Sequence, residues 1–203
     1  MLMLPLSVLL ASASPRRRDL LRQMGIEPEI VPADVDESRL PAEPPRDYVH
    51  RLAHLKAETA WHALPAGRRS ALIAADTAVV LGSEILGKPT DRESGLGMLA
   101  RLSGRTHEVM TGVALRIAGR VDVRVNVSRV TFRALQREEC EAYWESGEPR
   151  DKAGGYAVQG LAATFIRDLE GSFSGVMGLP LYETAELLRA AGIDPLSAAR
   201  AGR

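Results

Sequence analysis

The sequence predicts an α/β fold in which a mixed, twisted β-sheet is flanked by helices. Apolar runs of strand length alternate with longer segments whose apolar residues recur at helical spacing. Two β-rich runs, 109–117 and 121–132, are joined by Ala118, Gly119 and Arg120, which is typical of a long hairpin. Together, the alternation and the hairpin indicate a sheet with mixed strand directions.

The stretch LPLSVLLASASPRRRDLL at 4–21 has two interpretations. It resembles an export signal, but no positive charge precedes the apolar run and three arginines follow it. As folded structure, 6–10 is a strand that leads through a turn into a helix. Ser14 is then a natural N-cap, Pro15 the first helical residue and Gly25 the stop. The flanking charges favour the folded interpretation.

The other elements are assigned from apolar spacing and from residues that start or stop helices. Val49, Leu52 and Ala60 recur at helical spacing, and Asp91 is a suitable cap for a helix that ends before Gly104. In chain order, we predict strand 29–32, helix 44–64, strand 71–81, helix 91–103, the hairpin, helix 136–146, a glycine-rich loop at 152–160, strand 164–168 and helix 179–191. In strand 71–81, the buried part 71–75 ends at Asp76 and Thr77, and 78–81 continues the strand. We expect a single domain over 1–203 with a frayed tail from about 196, because no repeat or linker divides the chain.

Composition excludes several classes of protein. The 203 residues include 26 basic and 26 acidic side chains, so the net charge is zero, which opposes coating of a nucleic acid polymer or an anionic membrane. No run approaches the length of a membrane span. The single cysteine, Cys140, excludes an internal disulfide and lies in a polar helical stretch, where a structural role is expected. These features suit a reducing compartment, so we predict a cytoplasmic protein.

Arginines occupy an unusual position in the first predicted helix. Free N–H groups and the helix dipole at a helix start favour anions, so Arg16 and Arg17 are misplaced there unless something negative binds. With Ser12 and Ser14, they predict a phosphate site. The alternative is a solvated basic face.

Three acidic residues are candidates for metal binding or base catalysis: Asp36, Glu37 and Asp76. Asp76 follows a buried apolar run, so it is expected at the carboxyl end of a strand, where ligand sites gather in α/β sheets. A carboxylate there can hold a divalent ion or deprotonate a water. The alternative is an aspartate that begins a turn.

Three isolated lysines complete the candidate set: Lys56, Lys88 and Lys152. Singly, each is typical of a surface residue. Together with the arginines and carboxylates, they predict a pocket for a polyphosphate and its metal.

Two other motifs are interpreted as chance matches. Gly82 to Lys88 has the spacing of a P-loop, but Pro89 replaces the hydroxyl residue that binds magnesium, and the interior is apolar. His50 and His54 lie one helical turn apart without a third ligand, which indicates a solvated face.

Several motifs in order along the chain resemble the Maf family. They are LASASPRR (10–17), DE (36–37), Lys56, ADT (75–77), GKP (87–89), SGRTH (103–107), TG (111–112), EPRDKAG (148–154), QG (159–160) and GLP (178–180). The resemblance implies a fold similar to that of inosine triphosphate pyrophosphatases, and conversion of a nucleoside triphosphate to its monophosphate and pyrophosphate with a divalent cation, Mg or Mn. It also implies that Asp76 is the proton acceptor and that the active site is lined by Ser12, Arg16, Arg17, Glu37, Lys56, Lys88 and Gln159. Glu37 and Asp76 would hold the metal, and a homodimer, house-cleaning of nucleotide pools and a link to septum formation are further expectations of the resemblance.

Within that family, the residues at three positions separate the substrate branches. Arg16, Thr77 and Gln159 resemble the branch that acts on dTTP and UTP. A glutamine amide offers one donor and one acceptor, which match N3–H and O4 of thymine or uracil. The alternatives are a 7-methyl-GTP or other modified-nucleotide pyrophosphatase of the same family, and a P-loop-like NTPase.

Overall fold

The computed structural model describes residues 7–65 and 70–197. Its strands are β1 (Ser7–Leu10), β2 (Glu29–Ile30), β3 (Ser70–Leu81), β4 (Glu84–Leu86), β5 (Thr106–Ile117), β6 (Arg120–Phe132) and β7 (Ile166–Glu170). Its helices are α1 (Pro15–Gln23), α2 (Pro45–His62), α3 (Arg92–Leu102), α4 (Arg137–Glu145), α5 (Phe173–Met177) and α6 (Leu181–Ala190). Short 3-10 turns lie at Glu148–Asp151, Ala153–Gly155 and Leu161–Thr164, and the second of them lies inside the predicted glycine-rich loop.

The strands form one mixed sheet, which confirms the predicted fold class. Its order is β2-β1-β3-β5-β6-β7, with β4 paired to β3 outside this path. β1 is parallel to β2 and β3, and the remaining pairs are antiparallel. The predicted hairpin is β5 and β6, which pair from Thr106–Thr131 to Ile117–Arg120.

Helices cover both faces of the sheet. The small side chains of Ala53 and Ala57 on α2 pack against Leu9, Leu72 and Ala74. The next residues of β1 and β3 point to the opposite face, where apolar residues of α1 and α6 cover them. This alternation of side chains from face to face is the two-residue period of a strand buried on both sides.

The prediction that Asp76 ends a strand is wrong, because Asp76 lies inside β3. β5 pairs with β3 from Leu72 to Val80, so hydrogen bonding along that edge continues past Asp76. On the opposite edge, β1 pairs with β3 only as far as Ile73, and β4 begins to pair at Val79. Among the described residues, no strand covers this edge of β3 between those two points. The sheet therefore opens beside Asp76 without a break in the strand.

A glycine allows α2 to cross the sheet next to this opening. Gly112 on β5 is the register partner of Asp76, and a Cβ built on it would lie 2.3 Å from the carbonyl oxygen of Val49. Helix α2 therefore runs against the backbone of β5. This approach places Lys56, two turns after Val49, over Asp76.

Helix boundaries follow the predicted signals in part. Ser14 and Pro15 occupy the predicted positions, but the Ser14 side chain makes no capping hydrogen bond. Asp91 does cap its helix, since its carboxylate accepts a hydrogen bond from the Ser94 amide at 2.7 Å. Helix α5 was not predicted, because five residues are too few to show a periodicity.

The structure agrees with the interpretation of two sequence motifs as chance matches. Glu84–Leu86 is a strand, so the P-loop-like stretch contains no phosphate-binding loop. His50 and His54 are exposed on α2. The lone thiol of Cys140 is buried against the cluster around Phe132.

Two other expectations concern membrane spans and the chain termini. Within 7–65 and 70–197, no helix is both long and apolar enough to cross a membrane. Residue 6 of the predicted first strand and most of the predicted tail lie outside the described residues. Residues 196 and 197 are helical.

Candidate active site

A cavity of about 460 Å³ opens beside Asp76, where β1 and β3 part. Eleven of the candidate residues from the sequence line it: Ser12, Ser14, Arg16, Arg17, Glu37, Lys56, Asp76, Thr77, Lys88, Lys152 and Gln159. The third acidic candidate, Asp36, is not part of the lining and accepts a hydrogen bond from the Ser38 amide at 2.9 Å. The cavity therefore brings together side chains from both ends of the chain.

Lys56 joins the two carboxylates of the cavity. Its Nζ lies 2.7 Å from Asp76 Oδ1 and 2.6 Å from Glu37 Oε1. The side chains of Lys56 and Asp76 are 10% and 8% exposed, whereas that of Glu37 is 51% exposed. One cation between two anions leaves this group with a net negative charge, which suits a divalent cation.

The two carboxylates differ in proton affinity because their surroundings differ. Burial raises the pKa of Asp76 and outweighs the opposing charges of Lys56 and Arg17. Partial burial also raises the pKa of Glu37, but the hydrogen bond from Lys56 and the charges of Lys56, Lys88 and Arg17 together lower it below its ordinary value. Asp76 is thus the stronger base of the pair.

The loop that carries Glu37 is tied to α2, the helix that carries Lys56. The Tyr48 hydroxyl donates to the carbonyl oxygen of Glu37 at 3.0 Å. Arg51 forms a bidentate pair with Glu43, with distances of 2.6 and 2.8 Å, and also donates to the Ser38 carbonyl at 3.1 Å. These bonds fix the position of Glu37 relative to Lys56.

Arg17 connects the first helix to the C-terminal part of the chain. Its Nε donates to the Gly178 carbonyl at 2.8 Å, its Nη1 to Ser12 Oγ at 3.2 Å and its Nη2 to Thr77 Oγ1 at 3.4 Å. Burial lowers the pKa of the guanidinium, although the charge of Asp76 opposes this shift. No carboxylate among residues 7–65 and 70–197 forms an ion pair with Arg17, and a partly desolvated cation of this kind is suited to bind an anion.

Two further cations of the cavity lining share the Asp151 carboxylate. Lys152 Nζ contacts Asp151 Oδ1, and Arg16 Nη1 lies 3.9 Å from Oδ2. Partial burial raises the pKa of Asp151, but the hydrogen bond from Lys152 and the charges of Lys152 and Arg16 lower it overall. Because Asp151 is 70% exposed, a more highly charged anion can displace it from these cations.

Backbone contacts in the glycine-rich region place the remaining polar residues. The Gly154 amide donates to the Gly87 carbonyl at 2.9 Å, which brings the segments of Lys88 and Lys152 together. Glu148 Oε2 accepts the Leu161 amide at 2.9 Å and so holds the loop that exposes Gln159.

Sequence reasoning missed the apolar part of the lining. Val79, Val109, Tyr156, Val158 and Met177 contribute to this wall. They come from β3, β5, α5 and the glycine-rich region, and no local pattern distinguishes them from core residues. A cavity lined by both apolar and cationic side chains fits a nucleotide, which has an apolar base and an anionic tail.

The carboxylates fit a magnesium or manganese ion that arrives with a phosphate ligand. Glu37 and Asp76 contact the same lysine nitrogen, so both can face one cation. Among the described residues, no group of three or more His, Cys, Asp and Glu side chains converges as a metal site. Mg²⁺ is commonly held by one or two carboxylates plus substrate phosphates, and this donor set matches that pattern.

Comparison with known proteins identifies the family. The model of the Maf-like protein family matches residues 7–191. The chain belongs to the Maf family. Residues 7–191 include the whole cavity lining, so the site described above is that of a Maf protein.

Several curated relatives of this Maf protein carry the same name, dTTP/UTP pyrophosphatase. The relative from Alkalilimnicola ehrlichii is 52% identical over 190 residues, which cover 92% of this chain and 94% of that protein. The relatives from Hahella chejuensis and Nitrosomonas europaea are each 49% identical to this chain. Each alignment spans 92% of this chain, together with 92% of the Hahella protein and 95% of the Nitrosomonas protein. Among solved structures, the Staphylococcus aureus Ham1 protein is similar at a TM-score of 0.44 and 16% identity, over 62% of this chain and 71% of that chain.

Proposed function

We propose that this Maf protein hydrolyses dTTP and UTP to the monophosphate and pyrophosphate with a divalent metal ion. The observation that carries the proposal is a buried carboxylate, Asp76, at the base of a cavity lined by Arg16, Arg17, Lys88 and Lys152. The relatives named dTTP/UTP pyrophosphatase support the same activity.

In this mechanism, Asp76 accepts a proton from the attacking water. Its Oδ1 is bonded to Lys56, and its Oδ2 accepts no hydrogen bond from a described residue, so Oδ2 faces the water. The water oxygen forms a bond to the α-phosphorus, and the bond to the bridging oxygen breaks with its electron pair on the departing pyrophosphate. Arg16, Arg17 and Lys88 offset that charge. A metal ion held by Glu37 and Asp76 would neutralise charge on the triphosphate.

Gln159 is proposed to select the base. Its side chain is exposed at the cavity, so its amide can pair with N3–H and O4 of a pyrimidine. A methylated, cationic guanine is disfavoured because Arg16 lies in the same cavity.

Replacement of Gln159 by Glu is expected to lower kcat/KM for dTTP and UTP. A carboxylate cannot donate to O4, and an unpaired acceptor costs about 1–3 kcal/mol, which corresponds to about 5- to 150-fold. The measurement is kcat/KM on a panel of triphosphates. Gln23→Glu adds the same charge on α1 outside the cavity and should leave the panel unchanged. Equal preferences in both variants would contradict base selection by Gln159.

Product analysis tests the activity itself. We expect pyrophosphate from dTTP, and no turnover with a chelator. Orthophosphate would indicate a different NTPase reaction, and turnover unaffected by the chelator would rule out the metal. A non-enzymatic regulator would show no turnover and gives no reason for a buried carboxylate among these cations.

We also propose a cytoplasmic homodimer formed through the outer edge of β6. β7 pairs with β6 only from Arg129 onward, and among the described residues no strand covers 120–128 on that side. Antiparallel pairing of two copies about Val123 would place Arg124 opposite the partner's Asp122, and the reverse. The dimer would thus contain two ion pairs, each between Arg124 of one copy and Asp122 of the other.

Sedimentation of charge variants tests this interface. Arg124→Asp should shift the protein to monomer, because each new aspartate would face the partner's Asp122, and both matched pairs would become repulsive. The double change Asp122→Arg and Arg124→Asp should restore the dimer. A dimer that persists in the single variant would place the interface elsewhere.

A further inference from the structure

A chain of hydroxyl groups leads from the protein interior to Arg17. Thr111 Oγ1 lies 2.8 Å from the Gly175 carbonyl oxygen and 3.0 Å from Thr77 Oγ1, which in turn lies 3.4 Å from Arg17 Nη2. Thr111 is 1% exposed and does not line the cavity.

The chemistry of these groups fixes the direction of each bond. A carbonyl oxygen only accepts, so the single hydroxyl proton of Thr111 points to Gly175. Thr111 must then accept the proton of Thr77. The oxygen of Thr77 is left to accept from Arg17, which only donates.

This direction determines which N–H groups of Arg17 remain available. A guanidinium has five N–H donors, and three of them bind Gly178, Ser12 and Thr77. One N–H remains on each terminal nitrogen. These two donors are available for the oxygens of a phosphate group.

We propose that Thr111 is a positioning residue that holds Thr77 as an acceptor and thereby aims Arg17 at the phosphate tail of the substrate. In this arrangement, the proton of Thr77 is used in the bond to Thr111, so Thr77 cannot donate it to the nucleobase. Thr77 therefore affects the site through Arg17. The inference rests on the proposed function for the identity of the substrate, but the bonds themselves do not depend on it.

Binding of inorganic pyrophosphate to Thr111→Val tests the inference. Valine keeps the shape but removes the hydroxyl oxygen that accepts the proton of Thr77, so Thr77 turns that proton elsewhere. We expect the Kd for pyrophosphate, measured by calorimetry, to rise about tenfold. The kcat/KM for dTTP should fall by a similar factor. Thr111→Ser retains the hydroxyl and should restore both values.

A second hydroxyl pair in the same hairpin provides the control. Thr106 and Thr131 are bonded at 2.8 Å and lie outside the cavity. Thr131→Val should leave pyrophosphate binding unchanged. If Thr111→Val does not fold, Thr77→Val breaks the same chain while the bond from Thr111 to Gly175 is kept, and it should show the same loss.

A double-mutant cycle separates positioning from a general structural effect. In an Arg17→Lys background, Thr111→Val should weaken pyrophosphate binding no further, because the group that it aims is gone. An equal loss in both backgrounds, or wild-type binding in Thr111→Val, would overturn the inference. If wild-type protein binds pyrophosphate but releases none from dTTP, the proposed function fails while the cycle still tests Thr111.

Discussion

Asp76→Asn is expected to lower kcat for dTTP by about 10²–10³-fold while the protein remains folded. Asparagine has the same shape, and its amide oxygen can still accept the hydrogen bond from Lys56. It cannot take a proton from water at neutral pH, so the attacking nucleophile loses its base. Burial already raises the pKa of the Asp76 carboxyl, which makes the native residue a better proton acceptor than an exposed aspartate.

The measurement is the initial rate of pyrophosphate release, together with a urea unfolding curve. Asp36→Asn is a matched control, since Asp36 belongs to the same predicted acidic set but lies outside the cavity. It should retain activity within about twofold. Near-normal turnover in Asp76→Asn would show that another group activates the water.

Gly112→Ala is expected to have the largest effect on stability. Its Cβ would lie 2.3 Å from the Val49 carbonyl oxygen and 2.8 Å from the carbonyl carbon, both backbone atoms that cannot turn away. Helix α2 must shift, at a cost of about 1–3 kcal/mol in the free energy of unfolding. The shift also moves Lys56 from Asp76, so kcat should fall even where the variant is fully folded.

Chemical denaturation measures this cost, and Gly97→Ala is the control. Gly97 is exposed in α3, and a Cβ there meets nothing within 4 Å. Gly97→Ala should stabilise the protein by up to about 1 kcal/mol, because alanine has less backbone freedom to lose on folding than glycine. A Gly112→Ala variant as stable as Gly97→Ala would contradict the close approach of α2 to β5.

Local sequence signals identified the charged residues that the structure places around one cavity. Arginines in the first turn of a helix conflict with the dipole, and that conflict is visible in a few residues of sequence. Asp76 was identified by the apolar run before it. Its location inside β3 was not predicted. On one edge of β3 the pairing with β1 ends before Asp76, and on the other edge the pairing with β5 continues past it. Both are tertiary properties that a local sequence pattern does not show.

Other features of the site have no local signal. Thr111 looks like an ordinary strand threonine, and its role as a donor depends on the Gly175 carbonyl, 64 positions later. The apolar wall is equally hidden, since Val79 and Val158 resemble core residues in sequence. Lys56 is predicted on a helix, but its contact with Asp76 depends on the absence of a side chain at Gly112.

The bond from Arg17 to the Gly178 carbonyl has a consequence for synthesis of the chain. The two residues are 161 positions apart, so the bond can form only after the chain has been synthesised through Gly178. A nascent chain holds Asp76 and Lys56 long before Arg17 is anchored. A product truncated before Gly178 would therefore hold both groups without the carbonyl that anchors Arg17.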